Sequence, residues 1–396
     1  MGRNIFLFLY PLVLITILTG CWSLHELKDL GIVMGMGMDK IDNEYVISVQ
    51  IVNSGNVSSK KGETAAGAPV TLYSAKGKTV AEAARRLTGV TPRKAYFSHV
   101  RILLLSEELA KGGIAEILDF LSRNHEFRTD FYIAVAKGAP AHRILSLLSH
   151  LEKIPADKIF KTMEVAEKEW SPVVGVQLDE LLNSLLSQGR NPVLTGIQIT
   201  GNEDKGGTKE DIEGVVPLAM LRIGGAAVFK GDKLVGWLNE TESRGYAGLT
   251  DKVRRTVIES ACPEGGKLAV NVIRSNTKIK GRVHNGEPRV EVRIRSEADV
   301  SDVECKIDLA KNETITYLQK EVEDAIKENN EASIKKAKKL QSDIFGFGEA
   351  IHRADPTYWK KVKNRWNNQF PELQVDIKVD VQIRRLGTIG NSIQAK

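Results

Sequence analysis

The residues with the sharpest chemical potential are three cysteines, Cys21, Cys262 and Cys305. Outside a reducing compartment the last two could close a disulfide. They could equally be buried thiols packing as small apolar side chains, and sequence separation alone does not choose between the two. The seven histidines (His25, His99, His125, His142, His150, His284 and His352) form no His-x-x-x-His pair, and no Cys-x-x-Cys accompanies them, so no metal site is signalled. Glu107-Glu108 and Glu313 with Glu321 are carboxylates that general acid–base chemistry would recruit, but each reads more simply as an exposed helix residue. Gly35 and Gly37 suggest a nucleotide loop and fail the test, because a hairpin follows them and not a helix N-terminus. No catalytic residue, cofactor or metal ligand is expected.

Cys21 stands in a distinctive context. Arg3 precedes a nearly continuous apolar run from Ile5 to Leu18, 14 residues long. That length is within the roughly 7–15 residues of a secretory signal and short of the roughly 20 that cross a bilayer. Leu18-Thr19-Gly20-Cys21 closes the run and resembles the lipobox of bacterial lipoproteins. A thiol is needed there as lipid acceptor, and small residues let a peptidase reach the bond. Residues 1–20 would then be a cleaved signal peptide, with Cys21 the lipidation site, carrying a diacylglyceryl group with palmitate-like chains. Two acyl chains hold a protein to a membrane stably where one does not. An ordinary signal peptide or a short membrane anchor is the plainer alternative.

The whole-chain numbers set bounds. A chain of 396 residues exceeds one compact core and suggests two or three domains. Its 56 Lys+Arg against 50 Asp+Glu leave +6, too small a surplus for a nucleic-acid footprint and at most a weak preference for anionic lipid.

The elements follow from periodicity. Gly31 to Asp39 and Glu44 to Asn53 read as strands about an Asp42-Asn43 turn, and Ser54 to Pro69 as an exposed loop. Val80, Ala83, Ala84 and Leu87 mark a helix; Val100 to Leu105 is a central strand, Ile114 to Leu121 a helix and Phe131 to Ala136 a strand. From Pro140 to Gly189 the pattern is helical. Strands are expected at Val193 to Thr200 and Val215 to Ile223, with a charged, glycine-rich excursion from Gly201 to Asp211 between them. A hairpin from Ala226 to Trp237 turns at Gly231-Asp232. Strands at Leu268 to Ile279 and Arg289 to Arg295 precede a helix from Glu313 to Ile344, on which Lys335-Lys336-Ala337-Lys338-Lys339 reads as a solvated face. Trp359, Val362, Trp366 and Phe370 share a helical face and should be core. From Leu373 to Ile383 apolar and polar residues alternate strictly, as in a half-buried strand. The expected class is α+β: three mixed α/β domains (21–139, 140–250 and 251–396) with antiparallel sheets and flanking helices.

Several stretches together resemble the Ger(x)C spore-germination lipoproteins, the C subunits of nutrient germinant receptors. The first is Cys21-Trp22 with Gly31-Ile32-Val33-Met34-Gly35-Met36-Gly37-Met38-Asp39. The second is Ser98-His99-Val100-Arg101-Ile102-Leu103-Leu104-Leu105-Ser106-Glu107, followed by Gly112-Gly113-Ile114, Leu121-Ser122-Arg123 and Arg128. The third is Asp343-Ile344-Phe345-Gly346-Phe347-Gly348-Glu349 with Tyr358-Trp359-Lys360, Trp366, the alternating last strand and Gly387. They run in family order over nearly all of the chain after Cys21. The resemblance implies a lipid-anchored, non-enzymatic body at the outer face of the spore inner membrane. It would sit beside integral membrane A-type and B-type subunits and be needed for assembly or signalling, with no nucleic acid involved. Cys21 alone carries over as a chemically defined residue. The stretches Ser54–Pro69 and Gly201–Asp211 align with nothing and are candidate partner surfaces. The alternative is a solute-binding lipoprotein delivering a small molecule to a membrane transporter, which predicts two similar lobes around a cleft.

Overall fold

The computed structural model describes residues 27–58, 67–170, 172–262 and 265–385. Cys21 and the apolar run before it lie outside these residues. The first sheet contains β1 (Leu30–Ile41), β2 (Glu44–Val52), β3 (Val70–Gly77), β4 (Lys94–Tyr96), β5 (Ile102–Ser106), β6 (Tyr132–Ala136), β7 (Val193–Gly201), β8 (Ala219–Lys230) and β9 (Lys233–Leu238). Their order is β3-β2-β1-β5-β6-β7-β8-β9, with β4 paired to β1.

β1 and β2 form a tight hairpin because Asp42 and Asn43 take φ of 50° and 64°, the left-handed pair that matches strand twist. β1, β5, β6 and β7 are parallel neighbours. Helices Glu107–Gly112 and Ala115–Arg123 separate β5 from β6 in sequence, and Ala141–Ser146, Pro155–Glu169 and Leu178–Leu186 separate β6 from β7, which is what parallel crossovers require. β5 is buried on both faces. Leu103 and Leu105 enter one apolar cluster while Ile102 and Leu104 enter the other, so a continuous apolar run is the expected sequence of such a strand.

The α+β expectation holds, but the sheets are mixed and not antiparallel. The crossover helices carry the chain back to the starting edge, and the sequence pattern of a strand contains no sign of its neighbour's direction. The expected boundary at 139/140 falls inside this sheet, because β6 and β7 are hydrogen-bonded across it. The hairpin expected from Ala226 to Trp237 is present, with β8 and β9 pairing antiparallel about Gly231-Asp232, but the strand expected at 215–223 is revised. β8 runs through 219–230, bent at Gly224 and Gly225 where its pairing with β7 shifts, and Val215 and Val216 lie exposed before it.

Helix Glu240–Leu249 follows β9. Asn239 caps it by accepting from Glu242 N while the Glu242 side chain accepts from Asn239 N, so Asn239 and Glu242 form a capping box. The second sheet has the order β10-β11-β12-β13, from β10 (Thr256–Ala261), β11 (Lys267–His284), β12 (Glu287–Val303) and β13 (Gln374–Arg385). Helix Asn312–Lys339 lies across its inner face with Leu318, Val322, Ile334 and Ala337 buried. That helix stops five residues before the expected Ile344, because Gln341 adopts φ of 51° and turns the chain. β13 pairs parallel to β12, as the long helix between them dictates.

Candidate functional site at the junction of the two sheets

The turn after the long helix is the most heavily hydrogen-bonded buried feature linking the two sheets. Ser342 donates its hydroxyl to the carbonyl of Phe229 on β8. Asn191, just before β7, donates its N–H to Asp343 O at 2.7 Å, while its side chain accepts from Gly231 N at 2.9 Å and donates to Asn367 at 3.1 Å. Asp343 is fully buried. Its Oδ1 accepts the N–H groups of Phe345, Gly346 and Phe347 at 3.1, 3.1 and 3.2 Å. Its Oδ2 accepts from Gly348 N at 2.7 Å and Trp366 Nε1 at 2.8 Å. Burial pushes the carboxyl up to about 6, and these donors oppose the rise.

Backbones touch here. A Cβ on Gly189 would stand 2.5 Å from Glu349 N, and one on Gly348 would stand 2.8 Å from Gly189 Cα. Phe345, Phe347, Phe370, Trp359 and Trp366 pack around the turn, all buried. Chemically the arrangement positions and rigidifies, since Asp343 is fully buried with both oxygens committed to donors.

A second constellation lies at the carboxyl ends of β1, β5 and β6. Asp39, buried, accepts from Ala141 N at 2.8 Å and from His142 N and Nδ1 at 3.2 Å. The bond to Asp39 holds the His142 imidazole above its ordinary pKa. Burial pushes the Glu107 carboxyl up, but donors from Trp237, Lys111 and Gly138 outweigh it and leave the group below the usual range. A cavity of about 310 Å³ opens between Asp39, Glu107, Lys111 and Gly138. A concavity of about 830 Å³ lies over the second sheet among Arg254, Arg274, Arg295, Asp251, Glu297 and Asp380.

The residues singled out from sequence are dispersed. Cys262 and Cys305 are bridged, with S–S of 1.98 Å and Cα atoms 6.4 Å apart, and both are buried, which decides the alternatives left open above in favour of the disulfide. Glu108 is exposed and pairs with Lys111, and Glu107 serves the constellation just described. Glu313 and Glu321 do not converge on a site: Glu313 is exposed and Glu321 meets Ser260. Trp359 and Trp366 are core, with ring centroids 5.3 Å apart. Within Lys335–Lys339, Ala337 is buried and Lys338 donates to Leu373 O at 2.6 Å, so only part of the run is a solvated face.

Of the two unaligned stretches, the first begins with helix Ser54–Ser58, and its residues 59–66 lie outside the described residues. The second is an ordered turn around buried Asp211, which accepts from Gly207 N at 2.9 Å and Leu218 N at 2.6 Å. Asp211, Asn191 and the role of Asp343 escaped the sequence reading. The available signal was an acid or amide beside closely spaced glycines, a pattern for backbone N–H groups gathered on one side chain.

Two family models match the chain: "Spore germination protein N-terminal domain" over residues 23–199, and "Spore germination B3/GerAC like, C-terminal" over 224–387. The chain belongs to the GerAC-like spore germination family. Within this GerAC-like family it is similar to spore germination protein KC of Bacillus subtilis (strain 168), at 32% identity, covering 100% of this chain and 98% of the relative. It is also similar to spore germination protein B3 of the same organism, at 23% identity over 94% of this chain and 96% of that protein. A crystal structure of the GerBC protein shares the fold with a TM-score of 0.56 at 17% identity, covering 88% of this chain and 96% of the other. The GerAC-like N-terminal match ends inside β7 and the C-terminal match begins inside β8, although these two strands pair.

Proposed function

We propose that this protein is a non-enzymatic, lipid-anchored subunit of a spore nutrient germinant receptor. In this reading a diacylglyceryl group on Cys21 holds it at the outer face of the spore inner membrane. There it assembles with integral A-type and B-type subunits and is required for their assembly or signalling. The observation that carries the reading is the full-length similarity to spore germination protein KC. The lipobox-like Leu18-Thr19-Gly20-Cys21 supports the anchor, and the junction at Asp343 supports a scaffold role by holding two surfaces in fixed relation. Mass spectrometry of the protein from native spore membranes is the test. An acylated Cys21 together with co-purifying multi-spanning partners is expected; an unmodified, freely soluble chain overturns the reading.

A solute-binding role has one observation in its favour, the cavity at the carboxyl ends of parallel β1, β5 and β6, where α/β sheets commonly bind ligands. Against it, the two sheets differ in size and strand order and do not form two similar lobes. A true binding protein gains about 2.7 kcal/mol at a hundredfold excess of ligand over Kd, so a thermal-shift screen of small solutes separates the two.

A further inference from the structure

We propose that the end of the first sheet where the chain enters is a docking surface for an anionic phospholipid bilayer. The inference rests on the reading that the N-terminal segment is held at a membrane. Leu27, where the described structure begins, is six positions after Cys21. A stretch of that length reaches at most about 21 Å, so the entry point stays close to the bilayer.

Leu30 enters β1 beside Lys94 of β4. The adjoining surface runs through residues 88–94, where Val90 is 50% exposed and Pro92, Arg93 and Lys94 are exposed. Helix Val80–Arg86 feeds it and ends in exposed Arg85 and Arg86. Glu82 takes Arg86 at 2.6 Å and Glu126 takes Lys94 at 3.0 Å. Among the described residues Arg85 and Arg93 have no acidic partner, so positive charge remains in excess. Between Pro92-Arg93 and the segment Asn53–Asn56 opens a cleft of about 370 Å³, walled by Ile51, Val52 and Tyr73. An apolar wall with a guanidinium at its lip suits a phospholipid headgroup: phosphate oxygens meet Arg93, and the glycerol and upper acyl carbons meet the wall.

Each cation held near an anionic leaflet raises the bound population about fivefold. A tether that keeps the surface at millimolar effective concentration lets so modest a patch act. The solvent face of the second sheet also carries cations, but Glu291 already engages Arg282, Arg293 and Lys378 there.

The test uses the full chain expressed in a bacterial host, extracted in detergent and reconstituted into vesicles of phosphatidylcholine with or without phosphatidylglycerol. Amide hydrogen exchange is read by mass spectrometry. Exchange across residues 88–94 and 51–56 should slow about tenfold on the anionic vesicles relative to the neutral ones. The protection should disappear at high salt, and in Arg93→Glu with Val90→Asp, whose exposed sites leave the melting temperature unchanged. No slowing at this surface, or slowing at the second sheet instead, overturns the proposal. Intact mass on the same sample reads acylation separately. Protection without acylation would keep the docking surface and sink the lipoprotein reading, since the uncleaved apolar run tethers the chain in the same place.

Discussion

Trp366 donates its indole N–H to Oδ2 of Asp343 at 2.8 Å, and both residues are buried. The bond ties the aromatic core of the C-terminal part to a turn whose preceding residue, Ser342, is bonded to β8 of the first sheet. A carboxylate is suited to this place because its two oxygens accept five N–H groups without offering any hydrogen of their own.

Asp343→Asn therefore turns an NH2 group against one set of donors. The expected cost is about 3 kcal/mol, from N–H groups left buried without acceptors. Urea unfolding monitored by tryptophan fluorescence measures it. A midpoint equal to that of the wild type would show that the turn does not depend on the charge.

The same residue sets a pH dependence. Its folded pKa of about 6 lies above the ordinary aspartate value of 3.8, so between these values the native state binds more protons than the unfolded chain. Stability then falls as pH rises from about 4 to about 6, by about 3 kcal/mol in total. Relative to Asp343→Asn, the wild type should be more stable at pH 4.5 than at pH 7. A difference independent of pH, or one of opposite sign, would place the native pKa at or below the ordinary range.

Gly245 lets helix Glu240–Leu249 lie directly on helix Asn312–Lys339, since a Cβ there would stand 2.0 Å from Asn329 O. Alanine favours a helix by up to about 1 kcal/mol over glycine, but the clash is with backbone and cannot be relieved by a rotamer. Gly245→Ala should destabilise by about 1–3 kcal/mol. Calorimetry decides the sign, and a raised melting temperature would mean that the helices separate freely.

Removing the disulfide in a Cys262→Ala, Cys305→Ala chain opens a loop with a sequence separation of 43. The expected loss is about 2–4 kcal/mol. Guanidinium unfolding of that chain against the oxidised wild type measures it. Equal midpoints would indicate that the cluster around Leu268, Val270 and Leu318 holds the region unaided.

Local order was largely legible in the sequence. Val100 to Leu105 reads as a central strand because an uninterrupted apolar run needs cover on both faces, and β5 has it. The alternation from Leu373 to Ile383 reads as a one-sided strand for the complementary reason, and β13 shows it, with Asp376, Lys378 and Asp380 exposed. The Trp359 and Trp366 face reads as core and is core. The candidate site was less legible. Asp343 stood in a stretch notable only for its glycines, and nothing in that spelling says that an indole from a later helix closes the ring of donors.

By itself, then, the sequence determined many of the strands and helices, their apolar faces and the family, because each depends on periodicity or on residues close together in the chain. Strand direction, the continuity of β6 with β7, the Cys262–Cys305 bridge and the donors around Asp343 were decided by tertiary structure. These depend on which distant segments meet once two sheets share a core. A one-dimensional pattern of burial is unchanged when a neighbouring strand reverses or a partner comes from elsewhere, so it leaves them open.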